Sequence, residues 1–384
     1  MFVRVLSQRA LEGLRAYVYK PGGYTWLDDL HTPMWNWVTA QLPMWLAPNL
    51  ITLSGLICTF VAYFLMWYFL PEFTGEAPRW SYFFAGVSIV TYTNLDCIDG
   101  KQARRTGSSS PLGQLFDHGC DAIALHVMLS LTQTALNEPS AVFTSIAAMS
   151  VYLPWIVSHW EEYHTGILMY GDGWFGILEA NYVLAGITVV TGTFGPAIYE
   201  IPVKQLLPWW PWDISVKHTF IIFAMLIALV QFYGQMGRVF GRPWTMLPEA
   251  ERGHKELGTG ARLKHLAYGL TLVGLGTAYL ADTNLQPWQA RVAALLYGLV
   301  YATVATQLIM DHMSKEPFRP PLVPLAVLAA ATANSFLQLA DGRLVAFGGS
   351  AIMLVYYGIY VTSIVNQVCA FLGIHCLSIT TKRA

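Results

Sequence analysis

The chain has 384 residues, 55% of them hydrophobic and only 12% charged, about half the charged share of an ordinary soluble domain. Such a surface would not stay dissolved, and a formal net charge of −1 without a long basic run offers no footing for nucleic acid. The cysteines Cys58, Cys97, Cys120, Cys369 and Cys376 are scattered and form no CxxC pair, so reduced, packed thiols are expected rather than a zinc site or a disulfide framework.

In chain order, the first twenty residues place Arg4, Arg9, Arg15 and Lys20 at intervals, with no uninterrupted apolar stretch and no small-residue cleavage site. They do not read as a secretory signal. The stretch from Trp26 to Trp45 mixes Trp26, Trp35, Trp37, Met44 and Trp45 with Asp28, Asp29 and His31, which suits a helix lying in the headgroup layer. Ten spans follow, at about 50–70, 80–97, 112–136, 140–158, 174–196, 216–236, 263–281, 288–312, 320–340 and 344–372. Their apolar residues run continuously instead of alternating, which excludes barrel strands and makes the chain an all-α, polytopic membrane protein. Between spans 5 and 6, Pro208-Trp209-Trp210-Pro211-Trp212 reads as an interfacial aromatic anchor. Seventeen of the 22 Lys and Arg fall on the side that holds the N-terminus, so both termini and the 98–111 and 237–262 loops are expected in the cytosol.

One segment carries chemistry. Asp96 and Asp99, spaced i, i+3, end span 2, and Asp117 and Asp121, spaced i, i+4, begin span 3, so each pair shares a helical face. An ionisable side chain at bilayer depth costs about 2.5 to 3.5 kcal/mol on insertion scales. Hard divalent cations offset that cost, and four Asp from two antiparallel helices suit a two-metal centre of Mg²⁺ or Mn²⁺ for an in-line phosphoryl displacement. Gly100 and Ala103 leave room for a ligand, Lys101, Arg104 and Arg105 bring positive charge to phosphates, and Gly113 is expected to let spans 2 and 3 pack closely. For Lys101 and Arg105 taken singly, ordinary cytosolic-loop charge is the competing reading.

The pattern Asp96-x₂-Asp99-Gly100-x₂-Ala103-Arg104-x₈-Gly113-x₃-Asp117-x₃-Asp121 resembles, at every fixed position, the signature of the CDP-alcohol phosphotransferases. The fuller run around it, with Pro48-Asn49-x-Ile51-Thr52 and the closing Asn366-to-Ile374 stretch, is similar to the eukaryotic choline/ethanolamine branch. The resemblance implies the CDP-alcohol phosphotransferase fold. It also implies transfer of phosphocholine or phosphoethanolamine from CDP-choline or CDP-ethanolamine to diacylglycerol, with CMP leaving and two Mg²⁺ or Mn²⁺ ions required. Carried onto this chain, Asp96, Asp99, Asp117 and Asp121 hold the metals, one of them either shared between ions or turned partly to the nucleotide. Asn49, Gly100, Ala103 and Arg104 surround the CDP moiety. It further implies one integral membrane domain: residues 1–47 a cytosolic segment with the interfacial helix, 48–236 a six-helix catalytic core around the metals, and 237–384 four helices completing the lipid-facing body. The expected setting is the endoplasmic reticulum or Golgi membrane, as a homodimer, with diacylglycerol entering from the bilayer and the CDP ester from the cytosol.

Two residues are candidates for the acceptor's proton. His118 follows a metal aspartate and has an ordinary pKa suited to acid/base work, the alternative being a histidine that orients a neighbouring carboxylate. Glu179 lies about a turn inside span 5 near its cytosolic end, where the alternative is a water-solvated carboxylate. Glu161, Glu162 and His164 are expected in a solvated turn after span 4, and Asp311-His312 as an interfacial polar pair. The rival functions are a family member acting on another alcohol and an ion-coupled transporter. The latter would need acids spread through the membrane depth and a second constellation.

Overall fold

The computed structural model describes residues 5–241, 247–282 and 287–379. Arg4, Arg242 and the C-terminal Lys382 and Arg383, which entered the charge count, lie outside them. The chain opens with α1 (Gln8–Arg15) and α2 (Trp26–Gln41). Helix α2 begins with a capping box: the Thr25 hydroxyl accepts from Asp28 N at 3.5 Å while Asp28 Oδ2 accepts from Thr25 N at 2.8 Å. Its aromatic residues Trp26 and Trp37 are exposed, and Trp35 is buried.

Ten further long helices occupy the ten expected spans. They are α3 (Pro48–Phe69), α4 (Arg79–Thr106), α5 (Pro111–Leu136), α6 (Ala141–Thr165), α7 (Ile177–Phe194), α9 (Val216–Gly241), α11 (Thr259–Leu280), α12 (Pro287–Met313), α13 (Leu322–Leu337) and α14 (Gly342–Leu372). Short turns α8 (Val203–Leu206) and α10 (Glu249–Arg252) lie in the connections. Helices α3, α6, α7, α9, α12 and α14 are long and apolar enough to cross a membrane, and α13 is apolar but shorter. Helices α4 and α5 carry more polar residues because much of their length faces protein: α5 is buried at nearly every position from Ala124 to Leu136. The outward faces are apolar, as Phe64 and Tyr68 on α3 or Phe223, Val230 and Tyr233 on α9 illustrate. A protein with this exterior is a multi-pass membrane protein.

Two boundaries differ from expectation, with consequences for the site. Helix α4 does not stop near residue 97 but runs to Thr106, so the connection to α5 is only residues 107–110. Nothing between Asp99 and Thr106 breaks a helix except Gly100, and the first left-handed position is Gly107, at φ 65°. Ser110 then caps α5, its hydroxyl accepting from Gly113 N at 3.2 Å, with Pro111 in the first turn. Likewise α6 continues to Thr165 before Gly166 ends it at φ 78°. Glu161, Glu162 and His164 are therefore helical and about 2% exposed, not in a solvated turn. Arg238 on α9 forks onto the Glu161 carboxylate, and Trp160 Nε1 donates to Arg262 O at 3.1 Å, so neighbouring helices cover this end of α6.

Helix α12 is the centre of the molecule rather than part of an outer body. It packs against α5, α6 and α14, and Ala293, Leu296, Tyr297, Val300, Tyr301 and Ala305 on it have no exposed surface. Gly298 makes its approach to α5 possible, since a Cβ there would meet the His126 ring at 2.5 Å. Asp311 and His312, near its end, are buried instead of interfacial. Helix α4 packs chiefly on α3 and α7, and α5 on α3, α7 and α12. Gly113 does not serve an α4–α5 contact: a Cβ there would meet Asn49 Oδ1 of α3 at an ordinary 3.5 Å. Helix α4 is approached closely at Gly55, where a Cβ would stand 3.1 Å from Tyr92 Cα, and at Gly86, where one would meet Thr188 Oγ1 of α7 at 2.6 Å.

Beneath these ends, β1 (Pro21–Gly22) pairs in parallel with β2 (Leu168–Met169). Leu168 N donates to Lys20 O at 3.1 Å and Tyr170 N to Gly22 O at 2.9 Å, so the N-terminal segment is strapped to the α6–α7 connection. The five cysteines are all free, as expected.

Candidate active site

The i, i+3 and i, i+4 spacings bring the acids of α4 and α5 onto facing surfaces. Carboxylate oxygens of Asp96, Asp99 and Asp117 all lie within 4.8 Å of one another. Asp99 is held from α3, its Oδ2 accepting a hydrogen bond from the Thr52 hydroxyl. Asp121 stands beside this trio, its Oδ1 accepting from Tyr92 OH at 2.7 Å. Asp96 Oδ1 and Asp117 Oδ1 are buried and accept no hydrogen bond. A buried carboxylate oxygen without a donor is costly, and two of them in one acidic trio is the donor set that a hard divalent cation satisfies. The residues present therefore fit the implied metal.

Around the acids, the basic residues divide into two kinds. Lys101 Nζ donates to Asn36 Oδ1 at 2.9 Å, and Arg105 donates to the carbonyls of Leu42 at 2.6 Å and Ala40 at 3.1 Å, so both fasten α2 to α4. Buried Gln102 does the same for the α2–α3 connection, donating to Pro43 O at 2.9 Å. Arg104 is exposed and engages no hydrogen-bond partner among the described residues; its guanidinium folds back beside Gly100, whose missing side chain leaves that stretch of α4 open. Ala103 precedes Arg104 on the same helix. Asn49 uses its Nδ2 on Cys376 O at 2.9 Å, clipping the C-terminal segment across the start of α3.

His118 is 4% exposed, with Tyr19 edge-on to its ring at 5.8 Å and the His159 ring at 5.6 Å. Nitrogens of His118 and His159 and an oxygen of Glu162 form a second close group, within 4.8 Å of one another. Glu179 sits at the N-terminus of α7, where its Oε2 accepts from Gly176 N at 2.9 Å and its Oε1 is buried without a partner. The structure thus gathers His118 with His159 and Glu162, and gives Glu179 a capping contact. Near this group, burial and the nearby Glu162 push the Tyr17 phenol well up, which keeps it a donor. Burial lowers the Lys255 ammonium to about 8.

A cavity of about 570 Å³ lies between α3, α5, α12 and α14. Its walls are almost wholly apolar, and Phe116, Gly119 and Cys120 bring it to the turn of α5 that carries Asp117 and Asp121. The acidic, cation-fitting group and this apolar cavity thus lie on opposite faces of the same turns of α5.

Thr52, Tyr92, His159 and Glu162 were not singled out as site residues from the sequence. Thr52 was legible only within the Pro48-to-Thr52 run, and Glu162 carried no signal that separates a buried helical glutamate from a solvated one.

A family model described as CDP-alcohol phosphatidyltransferase matches residues 45–231. The chain is 30% identical to Uncharacterized CDP-alcohol phosphatidyltransferase class-I family protein 3 of Dictyostelium discoideum, over 98% of this chain and 99% of that one. It is 30% identical to Cholinephosphotransferase 1 of Rattus norvegicus over 81% of this chain and 75% of the relative. With Cholinephosphotransferase 1 of Saccharomyces cerevisiae the identity is 26%, over 97% and 98% of the two chains.

Proposed function

Since the chain belongs to the CDP-alcohol phosphotransferase family of membrane transferases, we propose that it moves phosphocholine or phosphoethanolamine from its CDP ester to diacylglycerol. The observation that carries this reading is the acidic trio with two partnerless buried oxygens, with an apolar cavity along the opposite face of the same turns of α5. A charged diphosphate ester and an acyl-bearing alcohol have opposite solvation needs, and α5 presents a polar face for the first and an apolar face for the second.

Asp96, Asp99, Asp117 and Asp121 would hold two Mg²⁺ or Mn²⁺ ions, which when bound supply charge neutralisation to the diphosphate. Thr52 orients Asp99, and Tyr92 orients Asp121. Arg104, with the open backbone at Gly100 and Ala103, meets the CDP phosphates, and Asn49 borders the nucleotide. The acceptor's hydroxyl oxygen attacks the phosphorus bearing the choline or ethanolamine; the P–O bond to CMP breaks, and CMP leaves with the electron pair. His118 and Glu179 are the groups for the acceptor's proton, as carboxylates bound to cations are poor bases. Most of the catalysis is positioning and electrostatics.

We assign the acidic group and both termini to the cytosol, in the endoplasmic reticulum or Golgi membrane, and the assembly to a homodimer. In domain terms, 48–236 supplies the catalytic core, 1–47 its cytosolic cover and 237–384 the remaining helices. The test is transfer by purified protein from CDP-choline and CDP-ethanolamine to diacylglycerol, with and without Mg²⁺ or Mn²⁺. Metal-dependent formation of phosphatidylcholine or phosphatidylethanolamine with equimolar CMP is expected. Activity only with a CDP-lipid donor and a water-soluble alcohol would overturn the reading in favour of another branch of the family.

A further inference from the structure

Resting on this phosphotransfer reading, we propose that Glu162 is a positioning residue for His118 and acts on it through His159. Glu162 lies near the end of α6, 2% exposed, and three polar groups from three parts of the chain converge on its carboxylate. His159 Nδ1, one turn earlier on α6, is 3.2 Å from Oε2. His312 Nε2, on α12, is 3.5 Å from Oε1, and the Tyr17 hydroxyl, between α1 and β1, donates to the same oxygen at 3.4 Å. Lys255 Nζ stands 2.9 Å from His312 Nδ1; an ammonium can only donate there, which places the neutral ring's proton on Nε2.

Each Glu162 oxygen is therefore satisfied, in contrast to Asp96 Oδ1 and Asp117 Oδ1. This group does not call for a cation; it is a closed network joining the N-terminal segment, α6, the connection before α11, and α12. A buried carboxylate is tolerated only when paired and hydrogen-bonded, and the fold provides that pairing at one point beside His118.

The link to His118 is geometric. Among the described residues no hydrogen bond fixes the His118 ring, so its orientation depends on what packs against it. Those neighbours include Tyr19, edge-on at 5.8 Å, and His159, at 5.6 Å, with a Glu162 oxygen within 4.8 Å of a His118 nitrogen. His159 is itself held between the Glu162 contact at Nδ1 and the Trp155 ring at 4.3 Å. Removing the carboxylate frees the His159 ring to rotate, and the wall that sets the His118 ring goes with it.

The test is a double-mutant cycle on the full-length protein in lipid nanodiscs, reading kcat, KM for the CDP ester and the thermal midpoint. Glu162→Ala should lower kcat about 10- to 100-fold, the usual range for loss of an orienting partner, with KM changed by less than about threefold. Glu162→Asp, which keeps the charge, should recover part of that loss. In a His118→Ala background the same Glu162→Ala change should alter kcat by less than about threefold, because the residue it positions is gone. Equal fold losses in both backgrounds, or a loss that Glu162→Asp does not relieve and that tracks a lower thermal midpoint, would overturn the proposal. If Glu162→Ala does not fold, the cycle is run with the isosteric Glu162→Gln and judged by the same criterion. Wild-type protein inert toward both CDP esters would instead sink the phosphotransfer reading, and this inference with it.

Discussion

Replacing Asp117 by Asn should stabilise the metal-free protein while abolishing its activity. The Oδ1 of Asp117 is buried, accepts no hydrogen bond, and lies within 4.8 Å of oxygens on Asp96 and Asp99. Two ionised carboxylates at that separation repel by about 3 kcal/mol at an effective dielectric of 20. Asp117→Asn keeps the side-chain shape and removes both of its pairs. Without metal, part of the repulsion in the wild type is already relieved by bound protons, so the net gain is smaller than the pairwise sum. A gain of about 1 kcal/mol corresponds to a rise of roughly 1 °C in thermal midpoint measured in EDTA for a chain of 384 residues. With Mg²⁺ the sign reverses, because the variant has lost an anionic ligand, and a transition state destabilised by about 3 kcal/mol turns over about 100-fold more slowly. The assay pairs thermal midpoints in EDTA and in saturating Mg²⁺ with kcat/KM across a Mg²⁺ titration. Retention of more than about a tenth of wild-type kcat/KM at saturating Mg²⁺, or a midpoint in EDTA below that of the wild type, would refute the reasoning.

Thr52→Val removes the only side-chain donor to Asp99 Oδ2 among the described residues, and should raise the Mg²⁺ concentration needed for half-maximal activity about tenfold or more; an unchanged Mg²⁺ curve would show that Asp99 is held otherwise. Arg104→Ala should raise KM for the CDP ester about tenfold with the thermal midpoint unchanged, whereas Arg105→Ala should lower the midpoint by freeing α2 and leave KM within about threefold. The reverse pattern would exchange their roles. Glu179→Gln keeps an acceptor for Gly176 N, so its midpoint should hold while kcat falls about tenfold or more; full turnover would leave Glu179 a cap alone. A Ser109→Cys probe in the exposed turn between α4 and α5 should react with an impermeant reagent on the outside of sealed microsomes; labelling only after permeabilisation would invert the orientation.

The ten-helix architecture was legible in the sequence because bilayer thickness sets a length for each apolar run, and all ten expected spans recur as helices. The acidic residues were legible for a similarly local reason: helix periodicity alone puts Asp96 with Asp99 and Asp117 with Asp121 on single faces. Residues 98–106 are helix rather than the loop their charge suggests, because charge on this stretch does not mark solvent. Lys101, Gln102 and Arg105 are polar for a different reason, since they hold α2 and the α2–α3 connection against a helix that continues to Thr106.

What only the tertiary structure decided is which polar residues face water and which face one another. Glu162 and His312 are 150 positions apart in the chain, and no local pattern tells a solvated glutamate from one whose cost of burial is met by His159, His312 and Tyr17. The same holds for α12, whose apolar composition suits a lipid-facing helix as well as the central one it proves to be. Local sequence sets helix length and face through steric and solvation rules that act within a few residues. Partner choice is set by packing between helices, where one glycine such as Gly298 admits a neighbour that any side chain would exclude.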